Sequence, residues 1–426
     1  MESILIITNI VILYAALYST VKNKKFYDIS NIYFYSLSVF IVFPLFYINL
    51  LHKENNYYFI YSNWLDYTNL VCLVILLTSL ISNILFDKIN TPKVDWKISK
   101  NVMFTILAFL AISYASKFQL FISGSLIIED KYAEVQNISS SVKYFSNFDI
   151  ALFPIVAALF FDKKENNITI KAIFWVTLSI MIIYAVIQGR RFGIIYPLLI
   201  TFIIHSIYNG IKTKKTILFI SLSASVFFSM TAIRLSQAQA VVETGESISV
   251  MSAIKNIDDD ILDNLTQSLI SRIGNPYIML NHVSYHKNEL YREPFYNVAT
   301  HAMTSVVPRI FYPEKKPISI GNEFGKEIGV ISINNHITKI NPGWPAEVSY
   351  SYGLIGVSLF FFFTIGMIKL AYQYFNVNNH IGIIVYASLF TFVFSGFQME
   401  FAFAFNTLIK TIFVLFVICF IHKRES

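Results

Sequence analysis

The sequence predicts an all-α polytopic membrane bundle of about eleven transmembrane helices, within a range of ten to twelve, carrying one long, partly helical extracytoplasmic loop. Three observations carry that prediction. Hydrophobic residues make up 55% of the 426-residue chain and charged residues only 14%, with 40 Phe and 26 Tyr, a composition that cannot cover ordinary domain surfaces with polar groups. Apolar stretches of roughly 15 to 22 residues recur, each about the length that crosses a ~30 Å hydrocarbon core as a helix. Lysines cluster in alternate connections between those stretches.

The spans fall near 3–20, 30–51, 67–86, 101–121, 148–161, 171–188, 192–208, 216–233, 348–368, 381–397 and 408–422. The first begins directly after Met1 and Glu2, with no basic leader and no small-residue cleavage site, and reads as a retained helix. The span at 148–161 is short and opens with Asp149. Basic residues number 16 on one side, among them Lys88, Lys163, Lys212 and Lys369. The short connections and helix ends of the other side hold 7, including Lys117, Arg190 and Arg191. The positive-inside rule makes the richer side cytoplasmic. The chain then divides into helices over 1–233, the long loop over 234–347 and helices over 348–426. Span interiors are nearly free of ionisable residues.

The long loop holds ten basic residues against twelve acidic ones. Within it, Ile254, Ile257, Ile261, Leu265 and Leu269 follow three- and four-residue steps, with Asp258, Asp259 and Asp260 on the opposite flank. That pattern predicts an amphipathic helix lying along the membrane. The prolines and glycines of 308–347 predict ordered loop. Cys72 and Cys419 both lie inside apolar spans and read as packing residues, which excludes a secreted disulfide scaffold. The charge is spread over short loops with no basic domain, which excludes a nucleic-acid binder.

Lysine and arginine partition across the membrane. The inner side uses fifteen lysines and one arginine, whereas Arg190, Arg191, Arg234, Arg272, Arg292 and Arg309 fall outside. A point charge suffices for topology, but the planar guanidinium fork matches phosphate or carboxylate oxygens two at a time. Arg190 and Arg191 sit in a tight hairpin after Gly189, where they either snorkel to headgroups, pair with an acidic residue of the loop, or clamp a diphosphate. Arg309 lies among Pro308, Pro313 and Pro317, which restrict the backbone around it. Arg272 is a helix-dipole partner or a substrate contact, and Glu347 is a helix-start complement or a proton acceptor. His282 and His286 have the i, i+4 spacing of metal ligands, but no third ligand stands at a matching interval, so no metal and no cofactor is predicted.

The Gly189-Arg190-Arg191 hairpin, the Pro308-Arg309 to Lys316-Pro317 segment with Gly321 following, and Glu347 with Tyr352-Gly353 and Gly356 resemble the O-antigen polymerase family, the oligosaccharide repeat-unit polymerases. The resemblance implies a glycosyltransferase of the bacterial inner membrane, with its active site facing the periplasm. Its substrates would be undecaprenyl-diphosphate-linked oligosaccharides, and a chain-length regulator and a flippase would be its partners. It further implies Arg190, Arg191 and Arg309 on the substrate diphosphate, Arg272 in a supporting contact, and Glu347 or His301 as general base. Two other readings stay open: an O-antigen ligase-like enzyme, and a lipid-linked oligosaccharide flippase or other transporter.

Overall fold

The computed structural model describes residues 29–42, 64–89, 102–123, 145–162, 167–187, 191–210, 213–244, 273–289, 297–307, 320–333, 340–375 and 380–423, with isolated positions such as Tyr61 beyond them. The chain is all-helical, with no strand among the described residues. The helices are α1 (Ile29–Leu37, continued by a π turn Ser38–Val42), α2 (Leu65–Asp87), α3 (Val102–Ile122), α4 (Phe148–Phe161), α5 (Ile168–Ile187), α6 (Arg191–Asn209) and α7 (Thr213–Thr244). They continue as α8 (Asn275–Glu289), α9 (Val298–Val306), α10 (Gly321–Glu327), α11 (Gly343–Tyr374), α12 (His380–Gly396) and α13 (Phe401–Lys423).

Among the described residues, five helices are long and apolar enough to cross a membrane: α2, α3, α5, α11 and Phe401–Ile421 of α13. All five lie where the hydropathy pattern places spans. Five further apolar helices, Tyr33–Val42, α4, Gly193–Asn209, Ile217–Ile233 and α12, stand at expected positions but are shorter. The architecture is consistent with a helical membrane protein.

The segment 234–347 is more helical than its sequence suggests. Helix α7 runs on to Thr244, α8 and α9 form within the segment, α10 interrupts the stretch expected to be loop, and α11 begins at Gly343 rather than 348. Pro276 and Pro345 explain part of this. Each lies in the first turn of a helix, where its missing N–H has no intrahelical partner to lose. The amphipathic stretch 254–269 falls outside the described residues apart from Lys255 and Asn256.

The chain forms two compact units, Met1–Asp95 with Ser271–Val377 and Ser388–Ile409, and Trp96–Ile270 with Asn378–Ala387 and Lys410–Ser426. In the first unit α2 and α11 run side by side in the same direction. Ser82 Oγ donates to the carbonyl of Phe362 at 2.6 Å, Gln373 Nε2 donates to the carbonyl of Phe86 at 3.3 Å, and Lys369 pairs with Asp87 at 3.0 Å near the C-terminal ends. Helix α8 fits against the opposite end of the pair, with Tyr277 Oη donating to Asn69 Oδ1 at 3.0 Å. Far from lying over a surface, its residues Tyr277 to Ser284 are buried.

In the second unit α4 is the hub. Eleven of its 14 residues are buried, so a helix too short for an ordinary span is enclosed by protein. Phe174 of α5 stacks on Phe160 at 4.1 Å, Phe202 of α6 stacks on Phe219 of α7 at 4.4 Å, and Tyr196 Oη donates to the carbonyl of Ile150 at 2.9 Å.

Candidate functional site

A helix of the length of α11 separates two very different ends of the first unit. Lys369 and Asp87 mark one. From Lys369 back to Leu354, just after the backbone break at Gly353, the helix climbs about 22 Å, most of the thickness of a ~30 Å hydrocarbon core. At the Glu347 end the structure gathers three buried acid–base side chains: Glu347 at 0% exposure, Glu400 at 2% and His301 at 6%.

The stretch 400–406 ties them together. Glu347 lies inside the opening of α11, and its carboxylate caps a different helix by accepting the amide N–H of Phe401, at the start of α13, at 2.6 Å. Glu400, the neighbouring residue, accepts the amide N–H of Ile320 through both carboxylate oxygens, at 3.1 and 3.2 Å. Ile320 is the N-cap residue of α10, so this second carboxylate also holds a helix start contributed by another part of the chain. Gly321 follows, and a side chain there would collide with the carbonyl of Ile340 and crowd Glu400.

His301 reaches the same stretch through α9. Ser305 Oγ donates to the carbonyl of Ala402 at 3.3 Å, and Asn406 Nδ2 donates to the carbonyl of Ser305 at 2.7 Å. The other end of α9 is docked on α11. Asn297 Oδ1 caps the helix by accepting from Thr300 N–H at 3.1 Å and also accepts from Tyr352 Oη at 2.6 Å. Tyr352 Oη in turn accepts from the amide of Ala299 at 3.0 Å, and Ser351 Oγ accepts from that of Val298 at 3.3 Å. The next residue, Gly353, breaks the helical backbone with φ 65° and ψ −164°. That conformation is essentially confined to glycine.

Beside this cluster, α8 packs against Tyr61. Asn281 Oδ1 accepts the Tyr61 amide at 2.8 Å, and Asn281 Nδ2 donates to Thr68 Oγ1 at 3.2 Å. The Tyr61 and Tyr285 rings stack at 3.6 Å, with His282 and His286 edge-on to Tyr61. Burial first, and then the Tyr285 phenol, push the Tyr61 phenol above its ordinary value. The i, i+4 histidine pair therefore flanks an aromatic stack. Among the described residues no group of three His, Cys, Asp or Glu side chains could hold a metal ion.

The structure thus ties Glu347 directly to the stretch 400–406 and the helix that carries His301 to it through Ser305, and it adds Glu400, which sequence reasoning missed. The available signal was a lone carboxylate in the connection between two apolar spans. Arg190, Arg272 and Arg309 lie outside the described residues, as do Asp258, Asp259 and Asp260. Arg191 is described as the first residue of α6, without its side chain.

Lys117 of α3 pairs with Asp149 of α4 inside the second unit, at 7% and 0% side-chain exposure. Asp149 opens α4 and Lys117 lies five residues from the end of α3, so both stand towards the helix ends. The structure adds that each is the other's counter-ion, which is how two charges persist away from water.

No protein-family model, no curated protein and no solved structure matches the chain.

Proposed function

We propose that the chain is a metal-independent membrane glycosyltransferase that joins polyprenyl-diphosphate-linked oligosaccharide repeat units into an O-antigen or capsule-type polysaccharide, at the outer leaflet of the bacterial inner membrane. The observation that carries this reading is that Glu347, and α9 with its buried His301, are both tied to the stretch 400–406 that begins with buried Glu400, at the end of α11 remote from the Lys369–Asp87 pair.

Outside the cell no nucleotide sugar is at hand, so the energy of the new glycosidic bond resides in the lipid diphosphate linkage. A hydroxyl oxygen of one lipid-linked unit attacks the anomeric carbon of the glycan on a second lipid. The bond from that carbon to the diphosphate oxygen breaks, and undecaprenyl diphosphate leaves with the bonding electrons. Glu347, or alternatively His301, takes the hydroxyl proton. Arg190, Arg191 and Arg309 meet the charge that develops on the leaving diphosphate, with Arg272 in a supporting contact; fixed guanidinium groups fill the role a metal would otherwise have. A chain-length regulator and a flippase are the partners this chemistry calls for.

The test is polymerisation by purified, reconstituted protein supplied only with lipid-linked repeat units. The expected product is a ladder of chain lengths, and Arg191→Ala or Arg309→Ala should slow its formation by about 10²- to 10³-fold. Transfer only to a lipid A core acceptor would mean a ligase. The buried Lys117–Asp149 pair supports a second reading, a lipid-linked oligosaccharide flippase, since transporters use intramembrane charge. Labelled substrate that changes leaflet without changing length would establish it.

A further inference from the structure

Helix α9 is too short to cross a membrane, yet no face of it is built for water. Its nine residues include no Asp, Glu, Lys or Arg, and they divide into two faces at helical spacing. Val298, His301, Ala302 and Ser305 are buried, whereas Ala299, Thr300, Met303 and the C-cap residue Val307 are exposed, Met303 to 65%. The exposed face is therefore apolar but for one hydroxyl. A helix bathed in water carries charged or polar side chains on its outer face, and one that lacks them is enclosed by protein or by lipid. The chain itself leaves Met303 uncovered.

The contacts of α9 fix its depth. The apolar stretch Phe401–Ile421 of α13 has 21 residues, which as a helix measures about 30 Å, one hydrocarbon core. Phe401 therefore stands at a boundary of that core. Ser305 Oγ donates to the carbonyl of Ala402, and Asn406 Nδ2 donates to the carbonyl of Ser305, so the last turn of α9 is level with the first turn and a half of α13, about 2 to 8 Å inside the boundary. On α11 the regular helix from Leu354 to Tyr374 again measures about 30 Å, and the amides of Val298 and Ala299 bind Ser351 and Tyr352 just before it. Helix α9 thus slopes across the boundary, its start at the level of headgroups and its end at the level of acyl chains.

The surfaces beside it are those of helices long enough to cross the membrane. Ile355, one turn along α11 from Ser351 and Tyr352 and on the same side of that helix, is 77% exposed, and Phe403, next to Ala402, is 41% exposed. Met303 and Val307 extend this apolar surface onto α9. We infer that α9 is an interfacial helix whose Met303 and Val307 face is embedded among the acyl chains of the leaflet at the Glu347 end of α11. Such helices sink an apolar face about 5–10 Å into the boundary between headgroups and chains. A face about 14 Å long and one helix wide is also far smaller than the roughly 800 Å² per partner of a stable protein interface. The opposite face, with His301, is thereby held at the level of the headgroups, which under the proposed function is where the diphosphate of a lipid-linked substrate lies.

Fluorescence quenching from the two sides of the boundary tests this. In the full-length protein with Cys72→Ala and Cys419→Ala, Met303→Cys, Val307→Cys and, as the reference on a spanning helix, Ile355→Cys are each labelled with a nitrobenzoxadiazole dye and reconstituted into phosphatidylcholine vesicles. All three positions are exposed, so the substitutions remove little packing. The Met303 and Val307 probes should lose emission to phosphatidylcholine spin-labelled near the top of its acyl chain, as the Ile355 probe does, and lose much less to iodide in the water. Loss to iodide equal to or greater than loss to the spin-labelled lipid would put the face in water. Loss to neither would mean that protein covers it, a second copy or another segment of the chain. Either result overturns the inference and leaves the proposed function standing, because α9 would still carry His301 on its docked face.

Discussion

The carboxylate of Glu347, in the opening of α11, accepts the amide N–H of Phe401 at the first residue of α13. Under the proposed function this side chain serves two purposes, holding a helix start and acting as proton acceptor, and the two can be separated. Glu347→Gln keeps an oxygen that accepts from Phe401 but loses basicity, so transfer should fail while thermal stability in detergent stays close to wild type. Glu347→Ala removes the acceptor as well and should cost about 1–3 kcal/mol of stability. Normal turnover in Glu347→Gln would move the base to His301.

Tyr352 is predicted to position His301 through α9. Tyr352→Phe deletes the bonds with Asn297 and Ala299 while keeping the ring, so hydrogen exchange at the Ala299 amide should accelerate and amides within α2 should not change. Gly353→Ala, placed where φ is positive, should destabilise the protein by about 1–3 kcal/mol. Unchanged exchange at Ala299 in Tyr352→Phe would show that α9 is held by its other contacts, through Ser351, Ser305 and Asn406.

The sequence makes the long helices legible and hides most of the site, for physical reasons. Spans depend on a length of apolar chain, which is local, and α2, α3, α5, α11 and α13 stand where hydropathy puts them. Helix α8 escaped because Asn281, His282, Ser284 and His286 look like solvent-facing residues. Asn281, His282 and Ser284 are buried, and Asn281, His282 and His286 meet Tyr61 or Thr68, whose distance in sequence no local pattern can bridge. Glu347 and His301 could be picked out by residue type, but what joins Glu347 to the helix of His301 is the stretch 400–406, visible only after folding. Lys117 and Asp149 could each be placed towards a helix end, but not paired, because the partner that makes either tolerable lies on another helix.

Tyr61 gives a prediction in pH. Its phenol is raised above the ordinary value of 10.0 by burial and by Tyr285, so the folded protein holds that proton more tightly than the unfolded chain. The associated stability is fully present below about pH 10 and is lost as pH rises through the folded value. A spectroscopic titration of tyrosinate, taken as wild type minus Tyr61→Phe, should show one tyrosine ionising later than the solvent-exposed ones. A difference curve centred at the ordinary value would refute the role given to the stack on Tyr285.

Sidedness decides whether the Glu347 cluster can meet substrates outside the cell. Lys88 follows the end of α2 at which Asp87 pairs with Lys369, in the lysine-rich set that the positive-inside rule assigns to the cytoplasm. Phe311 follows α9, which is fastened to the opposite end of α11, and is 78% exposed. In a background with Cys72→Ala and Cys419→Ala, a membrane-impermeant maleimide applied to intact cells should label Phe311→Cys at once. Lys88→Cys should label only after permeabilisation. The reverse pattern would put the buried carboxylates and His301 on the cytoplasmic side, where nucleotide sugars are available and the case for a lipid-diphosphate donor no longer holds.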